Sequence, residues 1–288
     1  MGRSIFDSIY GLNRRNRELV RRLNTARDIA LANDKVASKR LLQAQGVPVA
    51  KEVAVIHYPH AVEGVLAGLE DRAHGVVVKP SQGTQGRGVN IFMEVRDDGL
   101  VRADGSVMSL QDFRFLVATI TSGEYTYGRP SDCALLEDRL RPSRSWILPG
   151  LPGAPDLRIV VHKGVPILAM ARLPTLASEG RANLHQGGVG LGVDLRTQKS
   201  TYGIWKDRSI ERHPDTGDEV TGRDVEGLAD CVRMAADCAK AIPLGYMGVD
   251  LMLDERRGPC VIEVNARPGL AIQIANRIGL GSVLEHAS

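Results

Sequence analysis

The stretch GVDLMLDERRGPCVIEVNARPG, Gly248–Gly269, reads as two apolar strands joined by a charged turn. If Asp254–Pro259 form the connection, Asp250 falls opposite Glu263 across an antiparallel hairpin. Glu263 and Asn265 are two apart, so the period of a strand puts both on one face. Three oxygen-bearing side chains then converge among apolar neighbours. Burying two carboxylates there is costly unless a cation compensates them. Hard oxygen ligands, one of them a neutral amide, suit Mg²⁺ held jointly with nucleotide phosphates, with Mn²⁺ as an alternative. The plain alternative is the polar outward face of an edge hairpin.

A second stretch, VVVKPSQGTQGRGVNIF, Val76–Phe92, puts three glycines behind a strand-like run and a lysine. A Walker loop would carry its lysine after the glycines and open into a helix. Here Lys79 precedes them, and the chain continues as an alternating strand, Val89–Val95. The glycines therefore sit at the tip of a β-hairpin. Gly83, Gly86 and Gly88 allow close backbone approach to phosphates, with Lys79 supplying charge at the strand end. A glycine-rich turn alone is weak evidence, but with the Asp250, Glu263 and Asn265 set it reads as a nucleotide lid.

The rest of the chain agrees with a mixed α+β protein of more than one lobe. With 288 residues, 43% apolar and 25% charged, it is long enough for a sizeable core. No run approaches the roughly 18 apolar residues of a membrane helix, and no secretory signal is apparent at the N-terminus. The net charge of +3 gives no argument for nucleic acid. Cys133, Cys231, Cys238 and Cys260 lack zinc spacing and read as free thiols of a cytoplasmic protein. Cys231 and Cys238 share one face of a helix expected over Val225–Ala241.

Residues 1–30 are arginine-rich, with Leu19, Val20 and Leu23 at helical spacing. They read as a helix capping the fold, or as a docking arm for an acidic partner. Asn33 or Asp34 caps a helix to about Ala44. Strands are expected at Glu52–Ile56, Val76–Lys79, Val89–Val95 and Ala134–Glu137. A hairpin is punctuated by Gly99, Asp104 and Gly105, and Pro149–Pro155 reads as a lobe junction. Leu157–Val161 and Pro166–Arg172 pair around Lys163–Gly164. Arg96–Asp112 and Arg196–Asp218 read as insertions, the second irregular. The domains expected are 1–30 (basic arm), 31–75 (N-terminal part), 76–148 (small lobe with the lid) and 149–288 (C-terminal lobe with the metal set).

The motifs KPSQGTQGRGV from Lys79, RANLHQGG from Arg181, GVD ending at Asp250 and EVNARPG from Glu263 occur in the order seen in ATP-grasp ligases. As a set they resemble the α-L-glutamate ligases of the RimK type over about residues 33–280. The resemblance implies an ATP-grasp fold, in which two α+β lobes clasp ATP. It also implies a reaction in which a carboxylate attacks the γ-phosphorus to give an acyl phosphate, and an amine then displaces phosphate to form an amide.

Position by position, the resemblance makes Lys35 and Lys79 nucleotide-binding lysines, and Gln82, Gly83, Thr84, Gln85, Gly86 and Gly88 the lid. It makes Glu137 and Asp138 part of the adenine hinge, with Glu137 reading the purine edge. Asp156 would face the nucleotide and Arg158 the phosphates or substrate. Arg181 and Asn183 would contact the transferred phosphate, and Asp250, Glu263 and Asn265 would hold Mg²⁺. His185 stands as a general base or as an ordinary loop histidine. Gln186 replaces an arginine of the RimK pattern, and Arg267 replaces a small residue and restores the charge.

RimK-type ligases carry a substantial domain before the grasp lobes, where only about 30 residues precede Leu31 here. Three readings follow. The first is a carboxylate–amine ligase, adding an amino acid such as glutamate to a peptide, protein or small carboxylate. The second is aminoacyl modification of a sugar or cell-surface precursor. The third is a nucleotide-binding regulatory module. A homo-oligomer and a protein partner at the basic arm complete these expectations.

Overall fold

A computed structural model of the chain describes residues 8–69, 71–83, 86–126, 130–146, 151, 153–180 and 182–286. The chain divides into two compact units, one of Asn33–Arg40 with Ala50–Leu140, the other of Met1–Ala32, Leu41–Val49 and Arg141–Ser288. The N-terminal segment therefore groups with the C-terminal unit and does not stand as a separate arm. The stretches expected as 31–75 and 76–148 supply most of a single unit. Parts of the expected Pro149–Pro155 junction lie outside the described residues.

In the smaller unit the strands are β1 (Glu52–Ile56), β2 (Val76–Pro80), β3 (Asn90–Phe92), β4 (Glu94–Val95), β5 (Gly99–Val101), β6 (Val107–Ser109) and β7 (Ala134–Asp138). They form a four-stranded antiparallel sheet, β1-β7-β2-β3, and a three-stranded one, β4-β5-β6. The single strand expected over Val89–Val95 is broken at Met93. Its amide donates to the Val101 carbonyl at 2.7 Å, which passes the chain from one sheet to the next.

The supposed insertion up to Asp112 ends in a helix that the sequence reading missed, Leu110–Thr121, capped by Ser109 through the Asp112 amide at 3.1 Å. Its Phe113, Val117 and Ile120, spaced four and three apart, are fully buried with Val76, Val78 and Phe92. The helix Lys35–Ala44 is present as expected. Asp34 caps it by accepting from the Ala37 amide at 3.0 Å.

The larger unit is built on one seven-stranded antiparallel sheet. Its strands are β8 (Asp156–His162), β9 (Val165–Leu173), β10 (Val189–Asp194), β11 (Lys199–Trp205), β12 (Arg208–Ile210), β13 (Tyr246–Asp254) and β14 (Gly258–Asn265), in the order β12-β11-β10-β9-β8-β13-β14. The stretch Arg196–Asp218 is thus only partly irregular, because β11 and β12 extend the sheet over Lys199–Trp205 and Arg208–Ile210. On β10, Gly192 is required by packing. A side chain there would meet the Ala275 carbonyl at 2.2 Å, so only glycine lets the helix Ala271–Ala275 lie against β10.

Lys163 and Gly164, both at positive φ, make the expected tight turn between β8 and β9. One sheet face packs Leu157, Ile159, Val249, Leu251 and Val261 against Leu228, Cys231, Ala235 and Cys238 of the helix Leu228–Ala241. Each such large aliphatic burial contributes about 1.5–3 kcal/mol. The opposite face packs Val160, Leu168, Met170 and Tyr246 against Leu19, Val20, Ile272 and Leu280. The N-terminal segment is therefore part of the core. No disulfide forms among the described residues, and burial pushes the Cys231 and Cys238 thiols up to about 12. Among the described residues no helix is long and apolar enough to cross a membrane.

Candidate functional site

Each unit presents its own polar cluster. In the smaller one, β2 and β7 pair with Val77 opposite Glu137 and Lys79 opposite Leu135, so Lys79 and Glu137 are diagonal neighbours on one face. Lys79 Nζ lies 2.6 Å from one Glu137 oxygen, and Lys39 pairs with the other. Lys39, Lys79 and Glu137 are all buried, at 3%, 6% and 2% exposure, so two lysines share one carboxylate and leave an excess positive charge inside the protein.

Burial, and then the charge of Lys79, draw the Lys39 amine down to about 7. Burial would push the Glu137 carboxyl up, but the two lysines outweigh it and hold it below its usual value. Glu137 thus pairs with both lysines as their counter-ion.

Around this cluster, Lys35 donates to the Gly83 carbonyl, and its backbone amide donates to Ser81 at 3.0 Å. Gln82 donates its amide to Asp132 at 3.0 Å, and the Asp138 amide donates to Lys51 at 3.0 Å. Gly86 and Gly88 both have positive φ. At Gly88 a side chain would also strike Pro80 and Tyr125 at 2.7 Å, so this glycine is needed for packing as well as for the turn. Thr84 and Gln85 lie outside the described residues, as does Arg181.

In the larger unit, strand register assembles the second cluster. Asp156 faces Arg172, Arg158 faces Asp250, and Asp250 faces Glu263 across β9, β8, β13 and β14. Arg158 grips Asp250 with two bonds, Nε at 2.7 Å and Nη2 at 2.6 Å. Arg172 reaches both Asp156, at 2.6 Å, and Asp250, at 2.8 Å. Asn265 donates to Glu263 at 3.0 Å and lies 3.4 Å from Asp250. The three residues expected to hold a metal are therefore brought together on one face. Asn183 accepts the His185 amide at 3.0 Å and shapes the turn Leu184–Gln186, on which His185 is exposed. Arg267 is exposed just beyond β14.

Burial would raise the Asp250 carboxyl, but Arg158 and Arg172 outweigh it and hold the group far below its usual value. Asp156 goes the other way: burial, despite Arg172, pushes it up to about 6. An acid whose native pKa exceeds its unfolded value binds protons more tightly when folded. Stability should therefore fall as pH rises from about 4 to about 6 on this group's account. In EDTA-treated protein, Asp156→Asn is expected to flatten that part of the stability profile, as read by urea unfolding at pH 4, 5 and 6. An unchanged slope would contradict the assignment.

The face carries three carboxylates, Asp156, Asp250 and Glu263, against two guanidinium groups, and Glu263 has no cationic partner among the described residues. No group of three or more His, Cys, Asp and Glu side chains with metal-binding geometry occurs among the described residues. Two carboxylates and an amide nevertheless fit Mg²⁺, which keeps several waters or phosphate oxygens in its shell.

The sequence reading missed Arg172 and Lys39. The first shares strand parity with the buried Leu168 and Met170, and the second lies one helical turn beyond Lys35.

Antiparallel sheets of this order, with a glycine-tipped β2–β3 hairpin in the smaller unit, belong to the ATP-grasp class of fold. The chain is a member of the family described as sugar-transfer associated ATP-grasp, whose model matches residues 14–288. It is 30% identical over 267 residues to a probable alpha-L-glutamate ligase of Thioalkalivibrio sulfidiphilus, covering 89% of this chain and 65% of the relative. It is 28% identical to the ribosomal protein bS6–L-glutamate ligase of Shigella boydii, covering 86% of this chain and 60% of the relative. The chain thus spans about three fifths to two thirds of these relatives. The solved ATP-grasp ligase PsnB, complexed with a minimal precursor, matches with a TM-score of 0.50 at 16% identity, over 92% of this chain and 61% of that one.

Proposed function

We propose that this protein joins a carboxylic acid to an amine at the expense of ATP, through an acyl phosphate. The observation that carries the reading is the β13–β14 face, where Glu263, beside Asp250 and Asn265, lacks a cationic partner among the described residues. Mg²⁺ bound by Asp250, Glu263 and Asn265 would neutralise phosphate charge during transfer. The substrate acid's oxygen attacks the γ-phosphorus and ADP leaves. The amine nitrogen then attacks the acyl carbon, the C–O bond to phosphate breaks, and the amine's proton passes to His185 or to water. In-line positioning and charge neutralisation dominate such transfers, so fixed cations matter more than a protein nucleophile.

Arg158 and Arg172, oriented by their paired carboxylates, need little reorganisation to meet developing charge. Lys35, Lys79 and the glycine lid are assigned to the nucleotide, and Arg181 and Asn183 to the transferred phosphate. Arg267 is assigned to the substrates. The excess positive charge of the Lys39–Glu137–Lys79 cluster supports an anionic ligand there.

The relatives' names support glutamate as the amine. The family description supports the alternative, an acceptor on a sugar or cell-surface precursor. Four cysteines that form no disulfide among the described residues support a reducing, cytoplasmic setting. A homo-oligomer is expected, and light scattering on the purified chain would reveal it.

The test is ADP release from ATP and Mg²⁺ across a matrix of acids and amines, with product masses recorded. Release is expected only when an acid and an amine are both present. ATP binding with no ADP from any pair would favour a regulatory module instead.

A further inference from the structure

Arg15, at the end of the short helix Leu12–Arg15, is a buried charge without a counter-charge among the described residues. It is only 4% exposed. Its Nη1 donates to the Pro268 carbonyl at 2.6 Å, while Nε is sealed from solvent with no hydrogen-bond partner. No carboxylate among the described residues pairs with it, and the ionisable groups that act on it are Tyr246 and Arg267. Burial above all draws this guanidinium below its ordinary value; Arg267 adds to that effect and Tyr246 opposes it. The other guanidinium groups of this unit's polar face differ: Arg158 is paired with Asp250, and Arg172 with Asp156 and Asp250.

A buried guanidinium without an anion is expensive, and natural folds retain one where a ligand supplies the missing charge. The surroundings tell where that ligand would sit. Pro268, which holds Arg15, lies between Arg267 and Gly269. A Cβ on Gly269 would be 3.6 Å from Arg158 Nη1, the one nitrogen of that group not committed to Asp250. Arg15 and Arg158 therefore both approach the Arg267–Gly269 turn, and the Asp250 carboxylate is bound by Nε and Nη2 of Arg158, leaving its Nη1 towards Gly269. Planar guanidinium groups in this arrangement favour a planar, two-oxygen anion.

We propose that Arg15 is a substrate-binding residue that recognises a carboxylate carried by one of the two ligation substrates. The N-terminal segment thereby contributes to the substrate site as well as to the core. This inference rests on the ligase reading for the word "substrate", but the anion site itself does not.

The test uses Arg15→Met, which keeps the volume and removes the charge, with the exposed Arg17→Met as control. With the acid and amine that support ADP release, Arg15→Met should raise KM for one of them by about 30-fold or more. KM for ATP should stay within about twofold, and Arg17→Met should change neither.

Direct binding is measured in parallel, by thermal shift and calorimetry with succinate and L-glutamate against succinamide and chloride. The wild type should bind the carboxylates, and Arg15→Met should not. Its midpoint without added anion should equal or exceed that of the wild type, because an uncompensated buried charge is gone. Arg15→Lys should recover part of the carboxylate binding.

If no acid–amine pair gives ADP while carboxylate binding still depends on Arg15, the ligase reading fails and the anion site stands. Three results would overturn the site. The first is unchanged KM values together with unchanged carboxylate binding in Arg15→Met. The second is a rise confined to KM for ATP. The third is a large loss of stability without any change in binding, which would make Arg15 a brace for Pro268.

Discussion

Replacing Glu263 by alanine is expected to lower ADP formation roughly 10³-fold while leaving the fold intact. The reason lies in how little else depends on this carboxylate. Its one structural bond is the 3.0 Å contact from Asn265, and no arginine or lysine among the described residues pairs with it. Removing a half-buried carboxylate that has no counter-charge changes stability by only about 0.5 kcal/mol, whereas losing a metal ligand removes charge neutralisation at the reacting phosphate. Initial rates of ADP release at saturating ATP, with the thermal midpoint recorded alongside, separate the two effects. A rate within tenfold of wild type would remove Glu263 from the machinery. Asp250 is a poorer target for this purpose, because Arg158 and Arg172 both depend on it and its loss would mix catalysis with stability.

The largest stability effect is expected in the smaller unit. Glu137→Gln leaves Lys39 and Lys79 facing one another in the interior with no carboxylate between them. Breaking a buried ion pair from one side costs about 3–5 kcal/mol. The native carboxyl lies below its unfolded value, so its contribution is complete above the unfolded pKa near 4.5 and is lost as pH falls through the lower native value. The variant should therefore differ from wild type most at neutral pH and least in strong acid. Urea unfolding at pH 7 and pH 3 reads both values. Lys39→Met combined with Glu137→Gln should recover much of the loss, since one charge then remains where two faced each other. A Glu137→Gln protein as stable as wild type at pH 7 would contradict the cluster.

The C-terminal hairpin was legible because strand periodicity and turn chemistry are local. Asp250 stands opposite Glu263 as the spacing requires, and a bulge just beyond that pair leaves their register intact. The glycine-tipped hairpin was legible for the same reason, since the alternation after Gly88 excludes a helix. The helix over Leu110–Thr121 was missed although Ser109 and Asp112 carry a capping signal, because the preceding turn residues suggested only an insertion. Strands β11 and β12 were missed because each takes its place only by pairing with a neighbour, and Lys199–Trp205 alone shows no continuous apolar run.

Arg172, Lys39 and Arg15 share a different difficulty. A charged residue on an element looks like a solvated one until tertiary packing shows what surrounds it. Arg172 is explained by β8 and β13, and Lys39 by β7. Arg15 is explained by a contact across 253 residues of sequence.

The central proposal is that a carboxylate oxygen becomes bonded to the γ-phosphorus of ATP. The most direct measurement uses the substrate acid labelled with ¹⁸O in its carboxylate, in unlabelled water with the amine present. The phosphate released is then analysed by mass. An acyl-phosphate route transfers one ¹⁸O from the acid to each phosphate and leaves the other in the amide product. Phosphate carrying no ¹⁸O, with ADP still formed, would mean that water rather than the acid attacks ATP, and would contradict the ligase mechanism.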